Sequence, residues 1–359
     1  MTDHWVLTIG NFDGVHVGHR AILARAREQA DSQDAQVLAL TFDPHPSSVL
    51  RPGQEPPRLS GVSRRLADLK MAGADYAERL EPTRQFLSQS PEQFIQRIVT
   101  RYQPLALVEG ADFRFGRDRA GDMVRLCELG QQLGFKVVEV PSVEVLLGDQ
   151  TQVEVSSSLV RWLIGHGRVC DAARCLRQSY SITGKVAYGA QRGRRIGFPT
   201  VNLDPADYHG QIVPADGVYA GVVQVPAGTG GQGGTPVVSQ IAAHGDESRI
   251  GVAESKGLNC GIEVCSYRAA ISVGVKPTFG QKNLTIEAHL LDFKPQSDEL
   301  YGQTLTLFFE QWLRDQYPFP NVAALQEQLR RDVARIRNWP QQAADHQTQH
   351  QGATSIARG

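Results

Sequence analysis

Ile9-Gly10-Asn11-Phe12-Asp13-Gly14-Val15-His16-Val17-Gly18-His19 is the stretch on which the reading of this chain turns. The apolar run Val6–Ile9 within and before it predicts a strand, and the periodicity from about Gly18 to Asp31 predicts a helix. A glycine-rich turn from strand to helix is where an open α/β sheet binds ligands, beyond the strand's carboxyl end. Glycines at 10, 14 and 18 let the backbone approach a phosphate. The helix start turns free N–H groups and its positive dipole end toward the same anion. His16 and His19 are suited to hydrogen-bond a phosphate that grows more negative in a transition state. The pair also suits a metal, but no obvious third ligand accompanies it.

Outward from this turn the first half alternates. Val37–Phe42, Leu105–Glu109 and Lys136–Val140 read as strands, and Val62–Ala72, Pro91–Tyr102 and Met123–Leu133 as helices. That order predicts a parallel sheet covered on both faces, a Rossmann-like α/β domain closed by helices at Ser156–Gly165 and Val169–Leu176. After about Ser179 the pattern changes. Thr183–Tyr188, Gly217–Val225, Ala269–Val275, Leu284–Phe293 and Thr304–Phe309 read as strands, and helical periodicity returns only at Asn321–Trp339. An antiparallel β-barrel with a terminal helix is the expectation, giving domains at 1–180 and 181–339. A glycine-rich insertion at about 226–267 and a disordered tail at 340–359 complete the division.

Composition excludes several classes. At roughly 150 residues per domain, 359 residues suit two domains. With 41% hydrophobic and 21% charged residues the chain is neither disordered nor fibrous. Lys plus Arg (37) nearly cancels Asp plus Glu (38), which argues against a nucleic-acid or membrane-surface partner. No apolar run reaches the roughly 20 residues that span a bilayer. Met1–Trp5 lacks the basic and apolar regions of a secretory signal. Five scattered cysteines without a Cys-x-x-Cys pair argue against a disulfide framework or zinc site, so a cytoplasmic protein is expected.

Two further motifs carry chemistry. Ser156, Ser157 and Ser158 open a helix, where hydroxyls cap the first turn and also hold phosphate oxygens. Arg161, one turn on, is placed for a bidentate contact to a triphosphate. Further along lies Gly193-Arg194-Arg195-Ile196-Gly197-Phe198-Pro199-Thr200-Val201-Asn202, preceded by Gly184 and Gly189. Spaced two apart on a strand, Thr200 and Asn202 point the same way and offer neutral oxygens suited to Mg2+ beside ATP phosphates. Read alone, this second stretch is a surface Thr/Asn pair after a Gly-Pro turn.

The N-terminal turn resembles the H-x-G-H signature of the nucleotidyltransferase superfamily, specifically its bacterial FAD synthetase branch. Thr41-Phe42-Asp43-Pro44-His45-Pro46 resembles the family's second loop. Gly110-Ala111-Asp112-Phe113-Arg114-Phe115-Gly116 resembles its G-x-D-F-x-F-G segment, and Val155–Arg161 its I-S-S-T-x-I-R motif, with Ser158 in place of threonine. The later motif resembles G-R-x-L-G-F-P-T-x-N of riboflavin kinases, and Leu284–Phe293 their V-E-x-H-L-L-D-F strand. The resemblance spans about residues 5–337. It implies a bifunctional enzyme that phosphorylates riboflavin to FMN and adenylylates FMN to FAD, with ATP as co-substrate, Mg2+ as cofactor, and release of pyrophosphate.

Residue by residue, it implies His16 and His19 in adenylyl transfer and Glu287 as the kinase base. ATP would be held by Gly10, Asn11, Phe12, Gly18, Ser157, Ser158 and Arg161, and FMN would lie beside Asp112 and Phe113. In the kinase, Gly189, Gly193, Arg194, Gly197, Thr200 and Asn202 would hold ATP, Thr200 and Asn202 also the metal, and Arg314 would face the flavin. Two departures stand out. Ser272-Val273-Gly274 replaces the usual Asn-Ile-Gly, and the 226–267 segment, with Cys260 and Cys265, is longer than the family needs. Two alternatives remain: a single-activity FMN adenylyltransferase with a flavin-sensing, inactive barrel, and a non-enzymatic flavin carrier. The sequence leaves self-association open.

Overall fold

The structure is a computed structural model that describes residues 4–188, 193, 196–226, 264–278, 281–293 and 300–348. The chain forms two compact units. One holds Met1–Leu163, Arg174–Arg177 and Gly210–Ile212, and the other holds Ile164–Ala173, Gln178–His209 and the chain from Val213 onward.

The first unit runs β1 (Trp5–Gly10), α1 (Val17–Asp31), β2 (Gln36–Phe42), α2 (Pro46–Leu50), α3 (Val62–Met71), β3 (Tyr76–Leu80), α4 (Arg84–Leu87), α5 (Pro91–Tyr102), β4 (Pro104–Gly110), α6 (Met123–Leu133) and β5 (Lys136–Val140). A small antiparallel pair, β6 (Glu144–Leu146) and β7 (Gln152–Glu154), follows. Next in the chain come α7 (Ser157–Gly165), which belongs to the first unit as far as Leu163, and α8 (Val169–Leu176), of which only Arg174–Leu176 do. The five main strands pair in parallel in the order β3-β2-β1-β4-β5. Their side chains alternate between two cores, as strand geometry requires. Leu7, Ile9, Leu38, Leu40 and Leu107 pack with Phe94, Ile98 and Leu126 of α5 and α6. Val6, Val37, Ala39, Ala106 and Val108 pack with Leu23, Ala26 and Leu69 of α1 and α3. Strand order reverses between β1 and β4, which puts the topological switch point, and so the ligand crevice, beside the quoted turn.

The second unit is a closed barrel in the order β10-β11-β12-β9-β8-β13. Its strands are β8 (Tyr180–Ala187), β9 (Val201–Leu203), β10 (Gly217–Pro226), β11 (Val264–Thr278), β12 (Gln281–Leu290) and β13 (Thr304–Arg314), followed by α9 (Val322–Thr348). Tyr219, Val223, Ile271, Val273, Ile286, Ala288, Leu307 and Phe309 are buried in alternation along their strands. Ile336 and Val333 of α9 cover an apolar patch of Val218, Ala220, Ala270, Leu291 and Leu313.

The α/β domain, the antiparallel barrel and the terminal helix agree with the sequence expectation. Several elements were not foreseen: β3, the β6–β7 pair and the short helices α2 and α4. α9 also differs, because its backbone continues to Thr348 where composition predicts disorder from residue 340. Residues 349–359, and 227–263 of the insertion with Cys260, lie outside the described residues; Val264–Tyr267, its end, belongs to β11.

Candidate functional site

In the first unit, Gly10 ends β1, Asn11 to Gly14 form the turn, and His16 caps α1 in extended conformation at φ −69° and ψ 173°. Gly18 lies in the first turn of α1. The His16 and His19 rings stack, with centroids 3.6 Å apart and planes inclined by 21°. The Phe12 ring meets His19 edge-on at 5.2 Å. Neither buried Nδ1 has a hydrogen-bond partner within the protein. Burial, with Arg161 adding, pulls the His16 imidazole down to about 4. Burial also holds His19 well below the ordinary histidine value, with His16 and Arg65 contributing. Both rings are therefore neutral near pH 7.

The triple-serine segment divides its work. Ser156 Oγ accepts from Leu159 N at 3.2 Å, which makes it the cap. Ser157 Oγ donates to the Asp13 carbonyl at 2.9 Å, and Ser158 is exposed at the start of α7. Arg161 is engaged within the protein. Its Nη2 meets Asp13 Oδ2 at 2.6 Å and its Nε donates to the Pro57 carbonyl at 2.7 Å. Asp112 is exposed and Phe113 half-buried just past β4, with Phe113 stacked on Phe115 at 5.4 Å.

Three residues here were not singled out from sequence. The Asp13 carboxylate accepts from Leu59 N at 3.0 and 2.9 Å and from Ser60 N at 3.3 Å, besides pairing Arg161. Arg65, on α3, donates to the Asn11 carbonyl at 2.9 Å and the Phe42 carbonyl at 3.0 Å, and pairs Asp43 at 3.0 Å. It thereby ties the ends of β1 and β2 together. Glu109, near the end of β4, is 2% exposed and its Oε1 accepts from Ile9 N at 2.7 Å. β1 and β4 pair as far as Leu7↔Leu107, so Glu109 bridges the strands where they part. Burial raises its carboxyl well above the usual range, and Asp112 adds to the shift. Only Glu109 left a trace in sequence: a lone acid ending the apolar run Leu105–Val108.

In the second unit, Glu287 on β12 lies directly opposite Asn202 on β9 and Ser272 on β11. Its neighbours Ile286 and Ala288 are buried inside, so Glu287, Asn202 and Ser272 share the barrel's outer face. Thr200 is exposed one residue before β9. Gly193 anchors the glycine-rich turn: its carbonyl accepts from Phe198 N at 2.9 Å, and a Cβ at 193 would stand 2.2 Å from the Phe198 carbonyl oxygen. Gly197 follows at φ +83°. Gly189 and Arg194 lie outside the described residues. His289 contacts the Pro199 carbonyl through Nδ1 at 2.8 Å.

Arg314 pairs with the buried Asp332 of α9, Nη2 to Oδ2 at 2.7 Å and Nε to Oδ2 at 3.0 Å, and lies over the Phe319 ring. The structure thus shows it fastening the terminal helix to β13. Among the described residues no cluster of three His, Cys, Asp or Glu could hold a metal ion.

Residues 1–158 match the FAD synthetase family model and residues 176–340 the riboflavin kinase model. A bifunctional riboflavin kinase/FMN adenylyltransferase of Pseudomonas fluorescens is 32% identical over 334 residues, covering 92% of both chains. The chain belongs to the bifunctional riboflavin kinase/FMN adenylyltransferase family. The relative of that name from Escherichia coli strain K12 is 28% identical over 335 residues, covering 93% of this chain and 92% of its own. A solved structure described as a macrolide-efflux protein from Streptococcus pneumoniae superposes with a TM-score of 0.75 at 26% identity, over 94% of this chain and 95% of that one. The fold of this family member is therefore shared along its length. Among its described residues, no helix is long and apolar enough to cross a membrane.

Proposed function

We propose that the two reactions of the family are divided between the two units. The protein phosphorylates riboflavin to FMN and adenylylates FMN to FAD, with ATP as co-substrate of both steps. In the barrel, Glu287 takes the proton of the riboflavin 5′-hydroxyl while that oxygen bonds to the γ-phosphorus of ATP and the bond to ADP breaks. In the α/β unit, an FMN phosphate oxygen attacks the α-phosphorus of a second ATP and pyrophosphate leaves. That nucleophile is already ionised at neutral pH, so this step needs positioning and charge stabilisation rather than a strong base.

The observation that carries the kinase assignment is the register placing Glu287 directly across from Asn202 on the barrel's outer face. It favours a competent kinase over an inactive flavin-sensing barrel. Thr200 and Asn202 offer the hard oxygen donors that Mg2+ takes, and ATP phosphates would complete its coordination. When bound, Mg2+ neutralises charge on the phosphates.

In the other unit, His16 and His19 donate hydrogen bonds to the reacting phosphate, Gly10, Asn11, Phe12 and Gly18 shape its cradle, and Ser157 and Ser158 lie at a helix start suited to the triphosphate. FMN lies toward Asp112 and Phe113. Arg161 acts from its pairing with Asp13, and Arg314 supports the flavin side through α9. A cytoplasmic location fits a sequence whose five cysteines are scattered without a Cys-x-x-Cys pair.

The test is to incubate riboflavin, and separately FMN, with Mg-ATP and resolve the flavins over time. His19→Ala should abolish FAD formation and leave FMN formation intact. Glu287→Gln should abolish FMN formation yet still convert supplied FMN to FAD. Loss of both activities in either folded variant refutes the division.

A further inference from the structure

We propose that Gln316 is a positioning residue for riboflavin phosphorylation, acting through the Ser272 hydroxyl on Glu287. The inference rests on Glu287 being the base of the barrel reaction. Ser272-Val273-Gly274 is where the sequence departs from its family's pattern.

Two strand pairings put the relevant groups in one row. β11 and β12 set Ser272 opposite Glu287, and β12 and β9 set Glu287 opposite Asn202. Directly opposed residues of antiparallel strands share a face with Cβ atoms about 4.5–5.5 Å apart, within reach of a hydroxyl–carboxylate hydrogen bond. Ile271, Val273, Ile286 and Ala288 turn the other way and are buried.

Gln316 follows β13 by two residues and folds its carboxamide back onto this row. Its Nε2 donates to Ser272 Oγ at 2.7 Å and to the Val273 carbonyl at 2.9 Å. Both amide protons are used, and both bonds fall on the strand that faces Glu287. Room for the amide comes from Gly274, where a Cβ would stand 2.6 Å from Gln316 Oε1 and 2.8 Å from Nε2.

A serine hydroxyl has one proton and two acceptor lone pairs. When Gln316 donates to that oxygen the hydroxyl is no longer a free rotor, and its proton is left for the Glu287 carboxylate on the facing strand once that side chain turns toward it. Glu287 is then held between Ser272 and Asn202, with one oxygen kept toward the riboflavin hydroxyl. The contribution is to the geometry of the base, so it is felt in turnover more than in ATP binding.

The experiment uses the full chain and measures riboflavin phosphorylation with Mg-ATP, with FMN adenylylation by the same preparation as a folding control. Gln316→Ala and Ser272→Ala should each lower kcat for phosphorylation about tenfold, the scale of one lost hydrogen bond, with KM for ATP unchanged. The double variant should be no worse than Ser272→Ala, because both changes break the same relay. Gln316→Glu, similar in shape but unable to donate, should match Gln316→Ala. Gly274→Ala should also match it, by pushing aside the flexible end of Gln316. Wild-type turnover in Gln316→Ala, or effects of Gln316→Ala and Ser272→Ala that multiply, overturns the proposal. Glu287→Ala separates the two levels: if it still phosphorylates riboflavin the base assignment itself fails, whereas if it is inactive while Gln316→Ala is not, only the role of Gln316 fails.

Discussion

Arg161, on the helix that follows the triple-serine segment, closes on Asp13 of the glycine-rich turn at 2.6 Å, with side chains only 13% and 7% exposed. The pair joins residues 148 positions apart. It fixes the loop leading into His16 and His19 against the start of α7, where Ser157 also donates to the Asp13 carbonyl. A residue read from sequence as a direct phosphate ligand is therefore, in the structure, part of the frame that holds the turn.

Removing one partner of such a pair leaves a buried charge unmatched. Arg161→Ala and Asp13→Ala should each destabilise the protein by about 3–5 kcal/mol. Both should slow FMN adenylylation, and the double variant should cost less than the sum of the singles. Urea unfolding curves and FAD formation rates check this. Additive effects contradict a coupled pair.

The His16 imidazole, held down to about 4, gives stability a defined acid limb. Its unfolded-state value is near 6.5, so between about pH 6.5 and 4 the unfolded chain binds a proton that the native chain does not. Stability contributed by the neutral ring is thus present above pH 6.5 and lost as pH falls, by roughly 3 kcal/mol across the window. His16→Gln should flatten that limb in denaturation midpoints measured from pH 7 to pH 4. An unchanged slope contradicts the neutral, buried ring.

Glu109 works in the opposite sense. Its native carboxyl is raised well above the ordinary value by burial, so the unfolded chain releases a proton that the native chain keeps once pH exceeds about 4.5. The group therefore costs stability as pH rises. Glu109→Gln retains an acceptor for Ile9 N without that cost, and its stability relative to wild type should grow with pH above about 4.5. Glu109→Ala instead leaves a buried N–H unpaired and a void, at a cost of about 2–4 kcal/mol. Parallel pH series of thermal midpoints distinguish the two.

The bidentate contact of Arg314 with Asp332 adds a charged tie to the apolar packing that seats α9. Asp332→Ala should impair riboflavin phosphorylation as much as Arg314→Ala does, with FMN-to-FAD conversion retained. If Asp332→Ala is fully active in the kinase assay, the helix tether plays no part in that site.

The repeating patterns of this chain carried far. Strands such as Val37–Phe42 and Leu105–Glu109 announce themselves because strands buried on both faces need continuous apolar runs. β3 (Tyr76–Leu80) did not, since an edge strand with exposed Tyr76 and Arg79 carries no such run. β9 was legible only through its motif, as the strand carrying Asn202, since three residues after a Gly-Pro turn hold too little periodicity to read.

What the sequence determined by itself was the order of elements, the two-part architecture and the type of chemistry, because these depend on local periodicity and on residues clustered within ten or twenty positions. What tertiary structure alone decided was which distant groups meet: Arg161 with Asp13, Glu109 with Ile9, Arg314 with Asp332, and Gln316 with Ser272 beside Glu287. Those meetings follow from strand order, register and the docking of helices, which are global packing solutions. No local spacing encodes them.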